Sequence, residues 1–134
     1  MTRAVLRTSA VSKQKATVYL RRGRNLFNAM VDAEGRQNSD GVATNGVRAA
    51  IALADAYTIA KLGLRSRSQD HLEVVRLISS FGTSKSAELA GRVQAVLNRK
   101  QEVEYGERDV SVSDGARIAS AVRKIRSLVE SELA

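Results

Sequence analysis

One histidine, His71, stands in a chain with sixteen arginines, six positions after Arg65 and four after Arg67. An imidazole with a reference pKa near 6.5 takes the proton of a ribose 2′-hydroxyl at neutral pH. A guanidinium beside it stabilises the phosphorane through its planar fork. Those two groups suffice for RNA cleavage without a metal, with His71 as base and Arg65 or Arg67 as the cation. The competing reading of His71 is structural. It falls at a helix start, where the positive dipole end disfavours imidazolium and a packing or surface role is natural.

Asp55 is the other residue that calls for an explanation, because it lies inside the most apolar run of the chain. A buried carboxylate is costly unless paired. A partner among Arg99, Arg48 and His71 is expected, and structural pairing is preferred over acid catalysis. Asn45 reads as polar glue near the start of the same helix.

Other chemistries find no residues. The chain has no cysteine, which removes disulfides, zinc–thiolate sites and thiol catalysis, and its single histidine argues against a transition-metal site. Gly-rich phosphate loops, paired metal ligands and a Ser–His–Asp order are all missing from the sequence, so no metal and no cofactor is expected. The formal net charge of +8, carried mostly by arginine, instead makes polyanions the leading partner class, nucleic acid above all. No signal peptide is read at the start. Arg48, Asp55 and Lys61 interrupt the apolar run around Ile51, which argues against a membrane span. A cytoplasmic protein with no membrane partner is the expectation.

The elements that must position these residues read as helices. The chain of 134 residues contains no proline, which fits an all-α fold built as a single domain over residues 12–134 behind a flexible basic arm at 1–11. A first helix runs from the Ser12 cap to Glu34, with Tyr19, Gly23, Leu26, Phe27 and Met30 as its inner stripe and Arg21, Arg22 and Arg24 outside. The second spans 42–62 and stops at Gly63. It is apolar nearly all round and must be enclosed by other helices. A capping box at Asp70 and Glu73 starts a short third helix ending near Phe81. The fourth covers about 85–102, with Leu89, Val93, Val96 and Leu97 inward. Ser113 or Asp114 caps the last, whose stripe is Ile118, Val122, Ile125, Val129 and Leu133. The whole predicts an up-and-down four-helix bundle with one additional short helix.

The ordered set of segments also resembles a family. It comprises Ala49-Ala-Ile-Ala-Leu-Ala-Asp-Ala56, Lys61-Leu-Gly-Leu-Arg-Ser66, Asp70-His-Leu-Glu-Val-Val75 and Leu97-Asn-Arg-Lys-Gln-Glu-Val-Glu-Tyr-Gly106, followed by a Ser-capped final helix. This order is similar to that of the HEPN domains, over about residues 12–133. The resemblance implies a helical bundle that forms a homodimer and works in toxin–antitoxin, defence or stress systems, many members being ribonucleases. The family's nuclease motif is an arginine, four to six residues and a histidine near the end of the fourth helix. Here Arg99 is followed at that spacing by Tyr105, as in branches of the family that lack the motif.

A tyrosine, with a reference pKa near 10, is a poor base at neutral pH but can stack on a nucleobase. Arg99 is also favoured near a helix C-terminus by the dipole alone. The resemblance therefore implies an RNA- or nucleotide-directed protein, a catalytically degenerate ribonuclease if His71, Arg65 and Arg99 do not act. Its binding residues would be Arg65, Arg67, Arg99, Tyr105 and Arg108. The alternative is a non-enzymatic dimeric interaction module for a protein partner such as an antitoxin or a nucleotidyltransferase. Arginines clustered on one face would favour RNA, whereas dispersed and acid-paired arginines would favour the interaction module.

Overall fold

The computed structural model describes residues 7–67, 72–105 and 109–134, the side chains of 102–105 excepted. Within them the chain is helical throughout, apart from one short strand pair. The elements are β1 (Thr8–Ala10), α1 (Ala16–Gly35), α2 (Ser39–Leu62), β2 (Leu64–Ser66), α3 (Leu72–Ser79), α4 (Ser84–Tyr105) and α5 (Val112–Leu133), with a 3-10 turn at Lys13–Lys15 before α1.

The second helix is the strut that its composition requires. Met30 of α1, Leu53 and Tyr57 of α2, and Ile118, Val122 and Ile125 of α5 are all fully buried in one core. Small residues let the backbones approach. A Cβ on Gly23 would lie 2.8 Å from Leu53, and one on Gly46 would lie 2.7 Å from Ile118 and 3.1 Å from Met30. The same contacts set the directions. Gly23 faces Leu53 and Gly41 faces Ala33, so α1 and α2 are antiparallel. Gly115 lies against Val42 while Lys61 Nζ donates to the Glu132 carbonyl, so α2 and α5 run parallel. A regular up-and-down bundle places its parallel helices on the diagonal; here α2 and α5 touch directly. The α1 and α4 helices flank this pair and do not touch each other.

The strand pair was not expected. Part of the segment read as a basic arm is β1, which pairs antiparallel with β2 in the register Thr8–Ser66, Ser9–Arg65, Ala10–Leu64. Val11 N–H donating to Gly63 and Arg67 N–H donating to Arg7 extend the ladder at both ends. The pair clasps the open end of the α1–α2 hairpin. Gly63 makes the reversal possible with φ 66°, the left-handed conformation that glycine adopts at no steric cost. It ends α2 where the sequence places the stop.

Other helix ends move by a few residues. Asn38 caps α2 by accepting from the Gly41 N–H, so the helix begins at Ser39. The last helix is capped by Ser111 rather than Ser113 or Asp114, because Ser111 and Asp114 form a reciprocal capping box with the acid at its third position. The α4 helix extends to Tyr105, and α3 ends at Ser79 with Phe81 in the turn beyond. Among the described residues, no helix is long and apolar enough to cross a membrane.

Candidate nucleic-acid interface

Two arginine environments emerge near the positions singled out in the sequence. The first centres on Asp55, buried on α2 with 8% of its side chain exposed. Its partner is Arg65, whose Nε lies 3.3 Å from Asp55 Oδ2, and not Arg99, Arg48 or His71. The reason is the clasp: β2 folds back along α2 immediately after Gly63 and lays Arg65 over the turn that holds Asp55. Burial pushes the Asp55 carboxyl above the usual carboxylate range, and the Arg65 charge and hydrogen bond oppose that shift. Arg65 also sits over the Tyr19 ring at 5.1 Å, and Arg22 approaches the same ring at 5.1 Å. Arg65 is thus held by an acid and a ring together, a structural rivet. Tyr19, read only as a core-stripe residue, is its half-buried seat.

The second environment lies at the other end of the bundle. Arg99 Nη1 is 3.9 Å from Asp114, the acid of the α5 capping box. Gly115 beside Asp114 packs on Val42, thirteen residues before Asp55 on α2, or about 20 Å along the helix. Arg65 and Arg99 therefore do not share a site. Arg67 is exposed at the end of β2. His71, Arg108 and the side chain of Tyr105 lie outside the described residues, as do Asp70 and the side chains of Glu102, Glu104 and Glu107. Asn45 donates to the Gly41 carbonyl within its own helix, so it is glue only for the first turns of α2.

A third environment was not singled out in the sequence. Lys85 and Arg92 of α4 and Lys124 of α5 line a trough of about 410 Å³, with Ser127, Ser131 and Glu88 beside them. The signal for it was legible: Lys85, Arg92 and Arg99 are spaced by seven, as are Arg117 and Lys124, and residues seven apart share a helix face.

The buried Tyr57 presents a contrasting polar feature. Its ring meets Phe81 edge-on at 6.1 Å, and its hydroxyl is enclosed near Thr83 and Ser86 without a well-formed hydrogen bond. Burial chiefly raises its pKa. Such a group is a packing element and no base. Geometry and charge thus define a basic, mostly helical protein with separated arginine environments. No protein-family model, no curated protein and no solved structure matches the chain.

Proposed function

We propose that this chain is a HEPN-like RNA- or nucleotide-directed protein that binds its polyanion without cleaving it. The observation that carries the binding half of the reading is the basic trough between α4 and α5, lined by Lys85, Arg92 and Lys124. The dispersal and acid pairing of Arg65 and Arg99, which by itself favours an interaction module, bears on the non-cleaving half. Arg65, the cation best placed beside the lone histidine in sequence, is committed to Asp55 and Tyr19, while Arg99 stands about 20 Å away beside Asp114. Metal-independent cleavage needs base and cation within hydrogen-bond reach of one phosphate. Two acid-paired cations that far apart do not serve a single reacting centre. A HEPN-like arrangement of the helices, a homodimer and a place in toxin–antitoxin or stress systems belong to the same proposal.

The test is incubation of end-labelled transfer RNA and total RNA with purified protein in excess chelator, read for both mobility and chain length. The expected result is retarded RNA of unchanged length. Cleavage by the wild type that disappears in Arg65→Ala or His71→Ala overturns the non-cleaving half of the proposal.

A second reading, the protein-interaction module, is favoured by a further observation. Val112 is 78% exposed at a hollow of about 440 Å³ that Val42, Gly115 and Ala116 also line. An apolar side chain so placed suits a protein partner such as an antitoxin. RNA that runs unretarded, together with a change of oligomeric state in Val112→Glu, would favour that reading.

A further inference from the structure

The trough between α4 and α5 gathers cations from two helices around one space. Lys85 and Arg92 stand on its α4 wall and Lys124 on its α5 wall, with the Ser127 and Ser131 hydroxyls between them. Two acids, Glu88 and Glu132, share the space. Glu88 pairs with Arg92 of its own helix at 3.5 Å, an ion pair without a hydrogen bond at that Nε. Arg123 also lines the trough but donates to Glu34 of α1, as Arg24 donates to Glu130 and Arg65 to Asp55.

Spacing extends the trough into a track. Lys85, Arg92 and Arg99 recur every seven residues, about 10 Å of rise each, so they mark a line of about 21 Å on α4. Arg117 precedes Lys124 by the same interval on α5. The class of ligand follows from the lining. Guanidinium and ammonium groups alternating with hydroxyls match phosphodiester oxygens. No aromatic ring lines the trough, so bases are not held there by stacking, and recognition runs through the backbone without regard to sequence. A membrane surface would require exposed apolar side chains beside the cations. The trough offers only Leu128, which is half-buried.

We infer that the α4–α5 trough is the track for the sugar–phosphate backbone of single-stranded RNA. The inference rests on the RNA-directed reading above and names its site.

The experiment is fluorescence anisotropy of a labelled twelve-nucleotide oligouridine titrated with the full chain across a series of KCl concentrations. One variant is Lys85→Glu/Lys124→Glu. Its control, Arg21→Glu/Arg36→Glu, changes the net charge equally but acts on exposed positions of α1 and the turn after it. A milder pair, Lys85→Gln/Lys124→Gln, guards against misfolding, and circular dichroism checks all three. The expected result is a loss of at least tenfold in affinity for the trough variant, with the slope of log K against log salt shallower by about 1.4, or 0.7 for each lost phosphate contact on a single strand. The control should lose less than threefold, and the milder pair should fall in between.

Equal losses in trough variant and control would overturn the inference while leaving RNA binding standing, since net charge alone would then explain the affinity. A wild type that ignores oligouridine and transfer RNA alike would sink the RNA-directed reading itself. Binding to phosphatidylserine vesicles in preference to oligouridine would overturn the inference in favour of a membrane surface.

Discussion

The two seams that α5 makes with its outer neighbours use the same residue types to opposite ends. Along α1, each long cation of the seam is matched. Arg24 binds Glu130, Arg123 binds Glu34 through both guanidinium nitrogens, and Arg126 lies 3.5 Å from Glu130 with its guanidinium 4.5 Å from the Phe27 ring. Along α4, Arg92 pairs at 3.5 Å with Glu88 of its own helix, and Lys85 and Lys124 line the trough beside Glu88 and Glu132. Residue type therefore does not decide whether a basic helix face is structural or ligand-directed. Whether the ion pairs cross the seam is what differs. The α1–α5 seam is bridged by ion pairs from one helix to the other, whereas the Arg92–Glu88 pair in the α4–α5 trough stays within α4.

Both seams depend on the same frame, so the largest effect comes from breaking it. Gly46 is where α1, α2 and α5 meet, and even a methyl group there would overlap Ile118. Gly46→Leu is expected to cost about 3 kcal/mol or more, the upper end for overpacking a close-packed core. Chemical denaturation should show the loss. A variant as stable as wild type would mean that the core yields around this point and that the tight apposition of α2 and α5 is not what sets the spacing of either seam.

The clasp provides the next contrast, a buried pair against the exposed ones. Arg65→Ala leaves the Asp55 carboxylate enclosed without its cation, a strongly destabilising change for a fully buried pair. Arg65 is 46% exposed, so the expectation is scaled down to about 2 kcal/mol at neutral pH. The sign with pH follows from the raised carboxyl. Where the folded pKa exceeds the unfolded one, the folded state holds the proton more tightly. Stability is then greatest below the ordinary carboxylate range and declines as pH rises through the folded pKa. Asp55→Asn removes that decline. Its stability should match wild type within about 0.5 kcal/mol at neutral pH and show a flatter profile between pH 4 and 7. A steeper profile in Asp55→Asn would show that Arg65 dominates over burial.

These elements also show where the sequence was readable. The α2 strut, its stop at Gly63 and the inner stripes of α4 and α5 were legible because local periodicity and a single left-handed glycine determine them. The need for an Asp55 partner was legible too, since burial of a carboxylate demands one. The partner's identity was not. It depends on β1 pairing with β2 across the whole α1–α2 hairpin, a long-range contact that three-residue strands announce with no pattern of their own. The trough was half legible: the seven-residue spacing stands in the sequence, but which helix face lies opposite it does not. The cations that gather in one space, Lys85, Arg92 and Lys124, lie on the helices of the other seam, away from the arginines near the lone histidine.

The smallest expected effect tests the bridged seam most directly. Glu130 accepts from Arg24, and that hydrogen bond, reinforced by Arg126, holds its carboxyl below the usual carboxylate range. Arg24 is 48% exposed, so the pair contributes less than about 1 kcal/mol. A depressed carboxyl reverses the sign found at Asp55: its contribution is full above the ordinary pKa and is lost as pH falls through the folded value. Glu130→Gln should therefore lower stability slightly at neutral pH and become indistinguishable from wild type in acid. Asp55→Asn should instead differ from wild type mainly in slope on the neutral side. Glu130→Gln should also free Arg24 and Arg126 from their shared acid, and so raise oligouridine affinity modestly as salt falls. Denaturation midpoints of both variants across pH 3 to 7 read these opposite trends side by side. Profiles that bend the same way would show that the Arg24–Glu130 pair does not stabilise the α1–α5 seam, and the contrast between the two seams would fall with it.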